Sequence, residues 1–143
     1  EAVAELFVRA GLRARVEPGI AHARLAKLLV NVAINPLAAL FRVPNGALLD
    51  RPHRVLLDTL VREALPVLRA QGLDLDEAAA LARVHAVARA TAANRASMLQ
   101  DVLAGRRTEI DAITGALLRM AADHAIELPT HRAVHTLVHA LEP

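Results

Sequence analysis

Apolar residues recur at helical spacing along most of the chain, and turn signals divide them into segments. Gly11 and Gly72 are natural helix stops, and Pro129 is suited to a first helical turn. Pro36 and Pro66 fall inside apolar segments, where each should tilt, kink or interrupt a helix. The pattern predicts helices over about 2–10, 21–40, 52–71, 74–89, 108–125 and from 129 to the end. We therefore expect an all-α bundle of five or six helices joined by short loops.

Residues 12–16 depart from this period. Leu12-Arg-Ala-Arg-Val16 alternates apolar and charged positions over one strand length, and Glu17-Pro-Gly19 would end the strand. A lone strand needs a partner for its backbone hydrogen bonds. We therefore expect residues 1–19 to be a helix-strand remnant and linker of a dinucleotide-binding domain, and residues 20–143 to form a separate helical domain.

Composition narrows the class of protein. Hydrophobic residues make up 55% of the chain, which is enough for a sizeable core, while the aromatic residues are Phe7 and Phe41 alone. The formal charge of +2, with arginines interspersed among acids and no aromatic residues to stack on bases, argues against a nucleic-acid partner. The absence of cysteine excludes disulfides and thiolate metal sites. No signal peptide or membrane-spanning run is evident, so we expect a cytoplasmic protein without a membrane partner.

One lysine, Lys27, stands against sixteen arginines and lies within the apolar run from Ala26 to Ile34. Lysine can lose its proton, whereas arginine cannot, so its placement here suggests chemistry. Asn31 and Asn35 follow at i+4 and i+8 and extend a polar stripe roughly 12 Å long, which is typical of a substrate cleft. The alternative is a lysine that snorkels to water from the exposed face of an amphipathic helix.

A second polar segment runs from Thr91 to Asp111. Asn94 and Ser97 are three residues apart and would share a helix face, while Glu109 would lie in the first turn of the next helix, where a carboxylate suits the helix dipole. The alternative is that these residues are caps and turn residues. Thr108 and Asp111 resemble a capping box, and we expect Asp101 to pair with Arg106 or Arg107.

Three histidines, His131, His135 and His139, recur every four residues on the last predicted helix. Such spacing could offer a metal two imidazoles. Because no carboxylate is spaced to complete the set, we expect a solvated helix face and no metal site. We expect His53 to lie on the surface at the start of a helix. The sequence indicates no interaction partner for His22, His85 or His124.

Four segments together, Lys27–Leu37, Asn45–Leu48, Asn94–Asp101 and Gly105–Gly115, resemble the C-terminal helical domain of ketopantoate reductase, also called 2-dehydropantoate 2-reductase. The resemblance covers about residues 12–142. It implies an oxidoreductase that converts ketopantoate to pantoate with NADPH in pantothenate biosynthesis. It also implies an N-terminal Rossmann domain as partner and a helical half similar to the C-terminal domain of 6-phosphogluconate dehydrogenase.

The resemblance assigns roles to individual residues. Lys27 matches the general-acid lysine, Asn31 and Asn35 match amides that bind the substrate's hydroxyl and keto oxygens, and Ser97 matches the serine that holds the substrate carboxylate. Asn94 lies beside the same pocket, and Glu109 matches a catalytic glutamate that contacts the nicotinamide ribose and helps to set the lysine. We expect these polar side chains to converge on one side of the domain.

Some positions depart from the family pattern. Leu25, Ala96 and Thr114 stand where the family often has Trp, Ser and Asn. These changes affect pocket shape, so another branched 2-oxo acid is an alternative substrate. The alternative from a different functional class is a non-catalytic helical module for dimerisation or ligand sensing.

The cofactor-binding loop is also missing. No Gly-x-Gly-x-x-Gly follows a strand, so we expect the chain alone to bind NADPH weakly and to be inactive, with an exposed face that favours a homodimer.

Overall fold

The computed structural model describes residues 2–14, 16 and 19–143, and every regular element within those ranges is helical. A 3₁₀ turn at Asn45–Leu49 and a π-helical turn at Asp111–Gly115 interrupt the α-helices. The α-helices are α1 Ala2–Arg9, α2 Ile20–Phe41, α3 His53–Ala70, α4 Glu77–Ala90, α5 Ser97–Leu103, α6 Ala116–Asp123 and α7 Pro129–His139. The predicted all-α fold is confirmed.

Helix α2 is the central element of the core. It packs against α3, α4, α5 and α7, and it buries Leu29, Val32 and Leu37 completely. By length and mean hydropathy of 1.4 it could also cross a membrane, but 56% of that stretch is buried inside the fold, as in the core helix of a globular domain. The helix is not interrupted at Pro36, and α3 likewise runs through Pro66.

The predicted helix stops and starts correspond to particular backbone features. Gly11 and Gly72 adopt positive φ angles of 79° and 99°, which a residue without a Cβ tolerates. The Asp76 carboxylate accepts a hydrogen bond from the Ala79 N–H at 2.7 Å and so caps α4. These local signals therefore account for the ends of α1 and α3 and for the start of α4.

The predicted strand at 12–16 is wrong over the residues that the structure describes. Residues 12–14 and 16 are not extended strand, and Arg15 lies outside the described residues, as do Glu17 and Pro18. No strand is present in the described ranges to supply a backbone ladder, which explains the outcome. Helix α1 precedes this segment and buries none of its side chains, leaving Leu6 62% exposed.

The predicted capping box is also wrong. The Thr108 hydroxyl does accept a hydrogen bond from the Ile110 N–H at 3.2 Å, but Asp111 does not reciprocate. Its carboxylate instead bonds His135 and His139 at 2.9 and 3.0 Å. The predicted single helix over 108–125 is helical from 110 to 123, with a π turn at Asp111–Gly115 that continues into α6.

The histidines of α7 do not form one solvated face, which corrects the sequence interpretation. His131 is completely buried, its Nε2 lies 3.0 Å from the Leu60 carbonyl oxygen, and burial lowers the pKa of its ring. Spacing along the helix could not reveal this, since α3 covers the first of the three positions. Elsewhere, His85 has a partner in Asp58 at 2.6 Å, and His53 packs against Phe41.

Candidate active site

An open cleft of about 640 Å³ lies between α2 and the segment formed by the π turn and α6. Polar side chains from α2 occupy one wall, and small or flexible apolar side chains occupy the other. Gln71, at the end of α3, contributes from the side. The α2 wall contains Arg24, Lys27 and Asn31, and the opposite wall contains Ala112, Ala116 and Met120.

Helical spacing places the polar side chains together. Positions 24, 27 and 31 are three and four residues apart, so they share one face of α2. Ala26 and Leu29 point the other way and are completely buried in the core. Lys27 is exposed at the cleft, and Asn31 is half-buried. The ammonium can therefore reach both solvent and a molecule bound in the cleft.

The opposite wall lies next to the predicted glutamate. Glu109 is exposed and precedes the π turn, and its carbonyl oxygen accepts a hydrogen bond from the Ile113 N–H at 3.0 Å. Ala112, three residues later, lines the cleft across from Lys27. Glu109 thus lies within one turn of that wall, although it is not itself a lining residue.

The remaining predicted site residues lie outside this cleft. Asn35 follows Asn31 by one turn on α2 and is half-buried. Asn94 lies in the loop before α5, Ser97 is the first residue of α5, and both are exposed. Helix α5 packs against α2, so the loop and the polar face belong to neighbouring elements. The structure brings Lys27 and Asn31 into one cleft, while convergence of the full set stays a prediction.

The loop that carries Asn94 is braced by the 3₁₀ turn. The Asn45 N–H donates to the Asn94 carbonyl at 3.0 Å, and the Gly46 N–H donates to the Ala92 carbonyl at 3.1 Å. The buried Asn45 side chain adds a bond from Nδ2 to the Thr91 hydroxyl at 2.9 Å. The Asn-Gly pair therefore positions the Asn94 loop.

Sequence reasoning missed two residues of the cleft. Arg24 lies three residues before Lys27, so the same helical spacing that selected Asn31 could have found it. Gln71 lies 44 positions from Lys27 along the sequence, and only the packing of α3 on α2 brings it to the cleft. Asp101 pairs with Arg106 at 2.7 Å, as predicted.

Comparisons with known proteins identify relatives along nearly the whole chain. The sequence profile of the family described as "Ketopantoate reductase PanE/ApbA C terminal" matches residues 19–142. A curated 2-dehydropantoate 2-reductase of Archaeoglobus fulgidus is 37% identical over 143 residues, which is 99% of this chain and 48% of that protein. The chain therefore spans about half the length of this curated relative.

Solved structures agree in fold. A PanE/ApbA family ketopantoate reductase from Ralstonia eutropha superposes with a TM-score of 0.84 at 30% identity, over 98% of this chain and 47% of that one. A D-mandelate dehydrogenase, described in a ternary structure with NADH and anilino(oxo)acetate, gives a TM-score of 0.84 at 26% identity, over 98% of this chain and 78% of that one. The same helical fold thus occurs in a ketopantoate reductase and in a D-mandelate dehydrogenase.

Proposed function

The chain belongs to the ketopantoate reductase C-terminal domain family, and we propose that it forms the substrate half of an NADPH-dependent 2-dehydropantoate 2-reductase. The observation that carries the proposal is the α2 wall, where an ammonium and an amide face one open cleft. Such a wall suits a small anionic 2-oxo acid, because it combines the positive charges of Arg24 and Lys27 with directional hydrogen-bond donors. The substrate, the cofactor and the reaction are proposed for the whole enzyme. In the relatives, the whole enzyme also contains the half that this chain does not match.

Lys27 is the proposed general acid. Reduction of a ketone requires a hydride at the carbonyl carbon and a proton at the oxygen, and the dinucleotide supplies the hydride when it is bound. The Lys27 ammonium stabilises the negative charge that develops on the oxygen and then donates its proton to it, so the ketone becomes an alcohol and the amine becomes neutral. Solvent at the exposed side chain can restore the proton.

The neighbouring polar residues orient the substrate. Asn31 and Asn35 offer amide groups one and two turns beyond Lys27, suited to the substrate's hydroxyl and keto oxygens. Ser97, at the start of α5, would hold the carboxylate, and Asn94 would lie beside the same pocket in the loop that the Asn45-Gly46 turn braces. These assignments rest on the family resemblance and on the placement of the residues on neighbouring elements.

The chain contributes little to the dinucleotide in this proposal. Within the described residues no strand leads into a glycine-rich loop, which is the usual cradle for a pyrophosphate. Glu109 is exposed beside the wall opposite Lys27, so its carboxylate is free to accept hydrogen bonds from the nicotinamide ribose. The choice of NADPH over NADH in this proposal rests on the resemblance to ketopantoate reductase.

The test uses a chimera in which this chain replaces the C-terminal half of the Archaeoglobus fulgidus reductase. We expect NADPH oxidation that depends on ketopantoate, measured at 340 nm beside the parent enzyme. Lys27→Met should lower kcat by roughly two to four orders of magnitude, the contribution of a positioned proton donor. Arg83→Met, which removes an exposed cation from α4, is the matched control and should leave kcat unchanged.

The Lys27→Met chimera is informative only if it folds, which far-UV circular dichroism and cofactor binding check. Near-normal kcat in a folded variant would show that Lys27 is a snorkelling surface residue. Titration of the 143-residue chain alone with NADPH should show no micromolar binding. Micromolar binding would contradict the division of roles between the two halves.

Arg24 is a further substrate contact in this proposal. Its guanidinium lies one turn before Lys27 on the same wall and can pair with the substrate carboxylate. We expect Arg24→Ala to raise KM for the oxo acid roughly tenfold or more with little change in kcat, because the contact is made equally in ground and transition states. A fall in kcat at constant KM would argue against this role.

Another branched 2-oxo acid is the second candidate substrate. The D-mandelate dehydrogenase similarity and Leu25, which lines the cleft where the family often has Trp, favour a pocket that differs in shape. Comparing kcat/KM for ketopantoate and bulkier 2-oxo acids in the chimera decides between them.

The exposed apolar side chains of α1 suit a surface that meets the other half of the enzyme or a second copy. The isolated chain should therefore self-associate in sedimentation experiments; a strict monomer would remove this argument.

A further inference from the structure

Three side chains of types that can ligate a metal meet where the π turn contacts α7. Asp111 Oδ1 lies 2.9 Å from His135 Nε2 and 3.0 Å from His139 Nε2. These ligand atoms all lie within 4.8 Å of one another. His135 and His139 are one turn apart on α7, whereas Asp111 belongs to a different element. The carboxylate that the sequence spacing did not offer is thus supplied by the tertiary structure.

We propose that Asp111, His135 and His139 bind one divalent transition-metal ion of the Zn²⁺ type, which fastens the π turn to α7. Two imidazoles and a carboxylate form a ligand set that zinc accepts, with water completing a tetrahedron. Metal–ligand bonds of about 2.0–2.2 Å place tetrahedral ligands roughly 3.3–3.5 Å apart. The two Asp111–histidine separations would therefore open by a few tenths of an ångström, and the two imidazole nitrogens, now within 4.8 Å of each other, would settle at about 3.4 Å.

The surroundings of His139 fit a metal ligand. Its Nδ1 lies 3.0 Å from Glu142 Oε2, and a carboxylate behind a histidine fixes the ring so that Nε2 faces the metal. Glu142 is itself held, because its Oε1 accepts hydrogen bonds from the Thr108 N–H at 2.8 Å and the Thr108 hydroxyl at 2.6 Å. A surface ion pair does not require this second layer of positioned groups.

Gly115 and Arg119 flank the cluster. A Cβ on Gly115 would lie 3.4 Å from both His135 Nε2 and Arg119 Nη1 and 3.6 Å from Asp111 Oδ1, which are ordinary contact distances. Both carboxylates, Asp111 foremost, raise the pKa of His139 by accepting its hydrogen bonds. An ion would compete with a proton for the ring nitrogen, so binding should weaken as pH falls.

The consequence for the enzyme is structural. The π turn carries Asp111 toward α7 and, one residue later, Ala112 toward the cleft. An ion on the α7 side would therefore hold the wall that faces Lys27 without contacting the substrate. Holding such a wall in place is the role expected of a clamp rather than of a catalytic metal.

The test is Zn²⁺ binding to the untagged 143-residue chain after EDTA treatment and dialysis, by competition with a chromophoric chelator. We expect one ion per chain with micromolar or tighter affinity at pH 7.5, and a loss of at least tenfold in Asp111→Asn, His135→Gln and His139→Gln. Glu142→Gln should weaken binding roughly 10–100-fold through the ring it orients. His124→Gln, at an exposed histidine outside the cluster, is the matched control and should bind like the wild type.

Co²⁺ gives a direct readout that does not depend on stability. The wild-type chain should develop visible d–d absorption of the intensity typical of tetrahedral sites, and His135→Gln should lose it while its far-UV circular dichroism is retained. Wild-type binding weaker than about 100 μM, or equal Zn²⁺ affinity in Asp111→Asn and His135→Gln, overturns the proposal.

Discussion

Gly46→Ala tests whether the Asn-Gly turn fixes the loop that carries Asn94. A Cβ at position 46 would lie 2.7 Å from the Ala92 Cβ and 3.0 Å from the Ala92 Cα. Ordinary carbon–carbon contacts need roughly 3.5–4.0 Å, so the turn and the loop must separate by about 1 Å. Because the neighbour is partly backbone, a side-chain rotation cannot relieve the clash.

The magnitude follows from what this separation disrupts. Overpacking of a well-packed site costs about 1–3 kcal/mol. The shift also stretches the hydrogen bonds from the Asn45 and Gly46 N–H groups, now 3.0 and 3.1 Å long. We expect the free energy of unfolding to fall by about 2 kcal/mol in total. In the chimera, KM for the oxo acid should rise while Lys27 chemistry persists, since the loop and not α2 is displaced.

The assay is urea unfolding of the 143-residue chain followed by far-UV circular dichroism, because the chain has no tryptophan or tyrosine for fluorescence. Ala92→Gly removes the nearest clashing atom, so the double variant should recover at least about 0.5 kcal/mol relative to the sum of the single changes. A Gly46→Ala chain within about 0.3 kcal/mol of wild type, or additive single changes, would refute the reasoning.

Two further predictions concern buried and titrating groups. Thr114→Val should leave the free energy of unfolding unchanged or raise it by up to about 1 kcal/mol, because the Thr114 hydroxyl is completely buried and has no hydrogen-bond partner among the described residues. A loss above about 1 kcal/mol would reveal a bond to that hydroxyl. In the metal-free chain, Asp111 and Glu142 raise the pKa of His139 above its ordinary 6.5. The protonated ring therefore stabilises the folded state fully below pH 6.5, and this contribution disappears as pH rises through the raised pKa. The difference in free energy of unfolding between wild type and His139→Gln should therefore shrink over that range in urea titrations with EDTA. A difference that stays constant with pH would contradict this prediction.

The helical architecture could be predicted because its causes are local. Apolar spacing marks the buried face of each helix, and Gly11, Gly72 and Asp76 mark ends through backbone conformation or capping. The strand predicted at 12–16 failed because alternation is necessary for a strand but not sufficient, and the described part of the chain contains no partner for it.

In the candidate site, too, the sequence predicted what one helix fixes and not what packing between elements fixes. A single helix fixes the relative placement of Lys27 and Asn31, so their spacing sufficed to predict one polar face. The placement of Asn94 and Ser97 depends on how the Asn45-Gly46 turn meets a loop about 47 residues further on, which sequence spacing does not encode. The position of Gln71 at the cleft likewise depends on the packing of α3 on α2, which sequence spacing does not encode.

The sequence by itself therefore determined six of the seven described α-helices, the exception being α5, together with the shared face of Lys27 and Asn31 and the family. Only the tertiary structure decided which groups meet across elements. It buried His131 beneath α3 and brought Asp111 to His135 and His139. The sequence interpretation had instead placed the three histidines on one solvated face. The physical reason is that helix period fixes side chains relative to their own axis, whereas packing angle and loop path fix one axis relative to another.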